Sequence, residues 1–264
     1  MTRAFDPVIS ARHLLAAHRA RERFAPLPEP HRPHSLDEAY AVQDAVQTLL
    51  MPARGPLAGY KIALTSQVMQ RMVGVPHPLA GPLFTATIRQ APATLRAADF
   101  VRLGIECELA VRFGQDLAPA GAPLSHDAIA AAIDGVATAF ELVDDRNADY
   151  RDLDAFGIIA DNCWNAGVVL GPFRHDVPMQ ALSELVGRLE IDGVAVGEGR
   201  GADVLGDPRT ALAWLITHLA QRGAYLRRGM IVMTGSIVAT KFLRAGNGAR
   251  FALDRLGDIS LRVV

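Results

Sequence analysis

Residues 102–114, RLGIECELAVRFG, alternate without a break. Leu103, Ile105, Cys107, Leu109, Val111 and Phe113 fall on one face of a strand, and Gly104, Glu106, Glu108, Ala110 and Arg112 on the other. The first face predicts core. The second puts two carboxylates at i and i+2, roughly 6.5 to 7 Å apart, a repulsive pair unless a cation lies between them. Around that pair the face offers only Gly, Ala and Arg, which suits an enclosed site better than open water. A second acidic stretch, FELVDDR, reads as a strand end carrying Glu141, Asp144 and Asp145. Three carboxylates drawn from two such strands would make an open oxygen site for Mg²⁺ or Mn²⁺, with room for water and substrate.

The remaining pattern is helical first and mixed afterwards. Apolar spacing through Ile9, Leu14 and Leu15 predicts a helix over residues 8–23, ending at the proline-rich APLPEPHRPH. Ser35 and Glu38 form a capping box that opens a second helix, with Tyr40, Val42, Val46, Leu49 and Leu50 on its apolar side. Residues 1–55 therefore read as a helical N-terminal segment, and residues 56–264 as a unit of mixed α and β. That unit begins with the short apolar runs GYKIAL and GPLFTATI and continues through the central strand, a helix near residues 125–133 and the Glu141 strand. Asp161 to Gly171 place an Asp, two Asn and a Trp in a turn before another strand. LEIDGVAV is a hairpin turning at Asp192-Gly193. Asp207 as N-cap, Pro208 at N1 and Gly223 after the last turn bracket a helix with Leu212, Leu215, Ile216 and Leu219 inward and His218 in a structural role. The strand MIVMTGSIV ends in Thr234, Gly235 and Ser236, where bare backbone and hydroxyls can approach a carboxylate ligand, and a final strand pair closes the chain.

Composition narrows the function. The 264 residues suffice for one sizeable core, and the formal net charge is only -1. With no basic patch and no RNA-binding aromatic motif, nucleic acid is not expected as a partner. The N-terminus lacks a signal-peptide pattern and no apolar run matches a bilayer, so a cytoplasmic protein without a membrane partner is expected. Cys107 and Cys163 have no CxxC spacing and are expected to be buried and inert. No P-loop or dinucleotide fingerprint is present; the glycines of GVAVGEGRG sit in and after a hairpin.

Of 27 Lys plus Arg, only Lys61 and Lys241 are lysine. An ammonium is a compact charge whose pKa moves on burial, as a guanidinium's does not, so a retained lysine is a candidate acid or base. Lys61 is favoured, because it lies in the apolar segment GYKIALTS, which ends in Thr65 and Ser66; Lys241 sits near a loop. Ser66 and Asp161 stand as further substrate-binding candidates.

GYKIALTS, GVPHPLAGPLF, IECELAV, FELVDDR, ADN, GEGRGADVLGDPRTALAWL and MTGS occur in the order seen in a known group of enzymes. From about residue 35 onward the chain resembles the 2-keto-4-pentenoate hydratases and 4-oxalocrotonate decarboxylases of the fumarylacetoacetate hydrolase superfamily. The resemblance implies an α+β fold, a mixed β-roll catalytic domain with a helical N-terminal segment, assembled as a homo-oligomer. It maps Mg²⁺ or Mn²⁺ binding to Glu106, Glu108 and Glu141, the family lysine to Lys61, and a substrate-contacting Gly-Ser turn to Gly235 and Ser236. Its chemistry would be hydration of a 2-hydroxy-2,4-dienoate through the 2-oxo-3-enoate to a 4-hydroxy-2-oxo acid, in aromatic catabolism. Decarboxylation of a 2-oxo-3-enedioate and a degenerate 2-oxo acid binder are the alternatives. One departure stands out: many hydratases carry an acid in the segment matching His77 to Gly81, where this chain has Leu79, with His77 as the nearby substitute. Lys241 has no counterpart in the pattern.

Overall fold

The computed structural model describes residues 5–117 and 124–264. Two helices lead. α1 (Pro7–Arg19) starts at Asp6, whose carboxylate accepts the Val8 and Ile9 N–H groups, and α2 (Leu36–Arg54) starts at Ser35, which accepts the Glu38 N–H. Glu38 in turn accepts the His34 N–H at 2.8 Å. α2 runs past Pro52 and stops at Gly55, where φ is 77°. The inward faces differ in part from expectation: Ser10, Ala11 and Leu14 are buried on α1, whereas Ile9 and Leu49 are exposed.

The strands and helices that follow are β1 (Leu57–Ala63), α3 (Gln67–Val73), β2 (Leu79–Phe84), β3 (Ile88–Gln90), β4 (Ala93–Leu95), β5 (Leu103–Phe113), α4 (His126–Ala132), β6 (Ile133–Asp144), α5 (Ala155–Ala160), β7 (Asn165–Leu170), β8 (Val186–Ile191), β9 (Val194–Arg200), α6 (Pro208–Gln221), β10 (Ile231–Phe242), β11 (Gly248–Leu253) and β12 (Gly257–Val263). They form two sheets, one ordered β2-β1-β10-β5-β6-β7-β3 and the other β4-β12-β11-β8-β9. Both are mixed, with parallel pairs β1–β10, β3–β7 and β4–β12 in otherwise antiparallel ladders.

The main core lies between the sheets, where Phe140 of β6 meets Phe251 of β11 with ring centroids 5.9 Å apart. Leu212, Leu215 and Leu219 of α6 join it. The predicted hairpin and its Asp192-Gly193 turn are present, both residues having positive φ as that turn type requires. α1 and α2 share a separate apolar cluster with α5 through Leu14, Val42, Val46 and Ala160, which ties the N-terminal helices to the site side of the larger sheet.

Two strand expectations change. β10 does not end at Ser236 but runs on to Phe242, its register against β5 shifting three times after Met233. Gly235 and Ser236 thus sit inside a bulged strand, and Lys241 is the last residue but one of that strand, next to the loop that follows. β5 is central in its sheet, between β10 and β6, and is largely buried on both faces.

Candidate metal centre and active site

β5 brings Glu106 and Glu108 to one face, and its register against β6 sets Glu141 directly opposite Glu106. One carboxylate oxygen from each of the three glutamates lies within 4.8 Å of the others. Glu108 and Glu141 are fully buried and Glu106 is half-buried. Like charges facing each other across strands are unfavourable, and burying them raises the cost. The larger sheet must also curl here. Lys61 on β1 is three strands along from β6, about 14 Å in a flat sheet, yet its Nζ lies 3.1 Å from Glu141 Oε1.

Each glutamate has one oxygen held. Thr240 Oγ1 donates to Glu106 Oε1 at 2.7 Å, the Gly235 N–H to Glu108 Oε2 at 2.8 Å, and Asn165 Nδ2 to Glu141 Oε1 at 2.9 Å. Glu108 Oε1 and Glu141 Oε2 are buried with no hydrogen-bond partner among the described residues. Three hard oxygen donors with two orphaned atoms between them fit a divalent cation of the Mg²⁺ class. Burial pushes the Glu108 carboxyl well above its usual range, and the charges of Glu141 and Glu106 push it further. Burial also raises Glu141, against the pull of the Lys61 ammonium. For Lys61, burial alone would lower the pKa, but Glu141 and its neighbours outweigh it and the proton is held.

The second support of Lys61 is the Cys163 carbonyl, 3.5 Å from Nζ. It belongs to a run of three non-glycine residues in left-handed conformation, Asn162, Cys163 and Trp164, with φ of 51°, 48° and 60°. Such backbone costs roughly 1–2 kcal/mol per residue, and it persists where the surroundings fix it. Here Asp161 does the fixing: Oδ2 accepts Arg146 Nη2 at 2.6 Å and Oδ1 lies 2.5 Å from His18 Nε2 of α1.

A cavity of about 540 Å³ opens on this cluster. Lys61, Glu106, Ser236 and Thr240 reach its wall, as does Ser66, whose Oγ also caps α3. Gly235 is not in the wall; its N–H is spent on Glu108, so its part is to place a carboxylate. Asp161 is not there either. Both its oxygens are engaged by His18 and Arg146, beside the left-handed turn. His77 lies by a different depression, beside Trp214 and His218, and cannot stand in for an acid at this site. Leu79 is fully buried in the cluster that holds Cys163. Lys241 is absent from the wall. Asp144 accepts the Val101 and Arg102 N–H groups and Asp145 pairs with Arg102 and Tyr150, which leaves Glu141 as the acid that FELVDDR gives to the site. Both cysteines are buried, and burial raises their thiol pKa values, that of Cys163 to about 12.

Sequence reasoning missed two partners of the carboxylates. Asn165 carried a weak signal, as one of the polar groups clustered before β7; Thr240 carried none, because only the bulged register of β10 turns it toward Glu106.

Comparison with known proteins extends this geometry. The chain is 31% identical over 252 residues to a 2-keto-4-pentenoate hydratase of Paraburkholderia phymatum, covering 94% of each protein. It is 31% identical to a 2-oxo-hept-4-ene-1,7-dioate hydratase of Escherichia coli, with 96% of each covered. Among solved structures, a 4-oxalocrotonate decarboxylase from Pseudomonas putida G7, complexed with magnesium and adipate, superposes with a TM-score of 0.89 at 26% identity over 98% of this chain and 97% of that one. The α+β fold with its helical lead-in is therefore shared along nearly the whole length. The sequence of the fumarylacetoacetate (FAA) hydrolase C-terminal family matches residues 71–264, the stretch that carries all three glutamates, and the chain belongs to that family.

Proposed function

We propose that the protein is a divalent-metal hydro-lyase that adds water to a 2-hydroxy-2,4-dienoate and releases a 4-hydroxy-2-oxo acid. The observation that carries this reading is the buried Lys61 ammonium set against Glu141, on the cavity wall beside three carboxylates with two orphaned oxygens. The names of the hydratase relatives support it. In this reading Glu106, Glu108 and Glu141 hold Mg²⁺ or Mn²⁺, residues 1–55 form the helical segment and residues 56–264 the catalytic β-roll. A bound divalent ion supplies positive charge where the carboxylate and C2 oxygen of the substrate gather electron density.

The chain's own groups handle protons. The dienol loses its hydroxyl proton and gains one at C5, giving the 2-oxo-3-enoate; water then adds its oxygen at C4 while C3 takes a proton. Lys61, holding a proton at the wall, is the acid placed to deliver one, with the Cys163 carbonyl and Glu141 fixing the direction of Nζ. Ser236 and Ser66 offer hydroxyls to the polar head of the substrate.

Two observations favour a second reading, a decarboxylase: the likeness to the Pseudomonas putida enzyme, and Leu79 in the segment where many hydratases carry an acid. Product analysis separates them. The hydratase reading predicts 4-hydroxy-2-oxopentanoate from 2-hydroxypenta-2,4-dienoate, seen by NMR; CO₂ from 2-oxo-3-hexenedioate without hydration of the dienoate would replace it. A homo-oligomer in the cytoplasm is the companion reading. Val8 and Ile9 on α1 and Leu49 and Met51 on α2 support it as apolar groups left exposed on one chain, and light scattering at the gel-filtration peak would report the mass.

A further inference from the structure

We infer that the cavity is built for a substrate with an apolar tail and excludes one with a second carboxylate. The inference rests on the proposed reading in seating a 2-oxo acid head beside Glu106 and Lys61. Apart from the hydroxyls of Thr65, Ser66, Tyr150, Ser236 and Thr240, most of the remaining wall is apolar and includes Val68, Met69 and Met72 of α3 together with Leu153, Ile158 and Trp164. Among the described residues of the wall Lys61 is the only cation, and Glu141 already holds it. The remaining charged group there is Asp203, an acid, which would repel a second carboxylate. Arg102 stands behind Phe242, stacked on its ring at 4.1 Å, with its own charge taken by Asp145. A carboxylate pushed among these side chains would lose its water and gain no cationic partner.

Size points the same way. A volume of about 540 Å³ lies in the range that holds drug-sized ligands, about 300–1,000 Å³, and a five-carbon acid fills only a fraction of it. Val68 and Met72 are 66% and 40% exposed, so the apolar wall continues out to the rim and is covered by nothing else among the described residues. Methionine fits such a wall because its unbranched chain adapts to tails of different shape.

The test is calorimetric binding of 2-oxohexanoate and 2-oxohexanedioate to the Mg²⁺-loaded protein, two acids of equal carbon number that differ in the terminal carboxylate. At least tenfold tighter binding of the monoacid is expected, along with a gain of about fourfold per added methylene from 2-oxobutanoate to 2-oxooctanoate. Met72→Arg, on an exposed side chain, should narrow the preference by supplying the missing cation. Equal or tighter binding of the diacid by the wild-type protein overturns the inference, and so does failure of the monoacid to bind. If the monoacid is preferred but 2-hydroxypenta-2,4-dienoate is not hydrated, the hydratase reading falls while the tail pocket stands.

Discussion

Gly235 is the residue at which backbone geometry and metal chemistry meet. Its φ of +116° is unfavourable for any side chain, and an added Cβ would lie 2.3 Å from Thr65 Oγ1. Its N–H also holds Glu108. Gly235→Ala should therefore destabilise by at least about 1–2 kcal/mol and weaken Mg²⁺ binding, read together as melting temperature and calorimetric affinity. Unchanged values for both would show that the strand accommodates the methyl. Lys61→Met keeps a similar apolar stem and removes the proton. It should lower kcat by about 10²–10⁴ while the circular dichroism spectrum stays native; a variant at wild-type kcat would remove Lys61 from the chemistry. The sequence exposed both positions, Lys61 because lysine is rare in this chain and Gly235 because it sits between hydroxyls. It hid what Gly235 does, since a strand bulge is not a pattern of residue types.

At the scale of elements, alternation in residues 103–113 was enough to predict β5 and to set Glu106 and Glu108 on one face. What alternation does not carry is register. Glu141 faces Glu106 because β5 and β6 pair as they do, and Thr240 faces Glu106 because β10 slips against β5. The left-handed turn at 162–164 was equally hidden, because none of its residues is a glycine and a long-range ion pair stabilises it. Asp161→Ala strips the partner from Arg146, which is 2% exposed, and should cost about 3–5 kcal/mol in a urea unfolding curve. A loss within about 0.5 kcal/mol would mean that the turn holds without its anchor.

At the scale of the molecule, α1 and α2 pack on α5 through a shared apolar cluster, and acid pH acts on the fold through His218 of α6. Burial, helped by Arg222 and His77, lowers the His218 pKa from its ordinary value to about 4. The unfolded chain therefore takes up this proton first as pH falls from about 6.5. The stability contribution is complete above that pH and is lost progressively on the way down to about 4. Melting curves of His218→Gln should fall less steeply than wild type across that window; parallel curves would contradict the assignment. The α+β class and the order of the main elements were legible in the sequence, since periodicity, caps and turns are local. The closure that carries Lys61 to Glu141 was not, because it depends on how far a seven-stranded sheet curls.

The most direct test of the central claim follows the ultraviolet band of freshly generated 2-hydroxypenta-2,4-dienoate with the purified protein, in Mg²⁺, after EDTA, after Mg²⁺ is restored, and with Glu106→Gln. The account predicts rapid loss of the band in Mg²⁺, loss of that activity in EDTA, its recovery on adding the ion back, and little activity in the variant. A decay rate that ignores both EDTA and Glu106→Gln would contradict a metal centre built on these three glutamates.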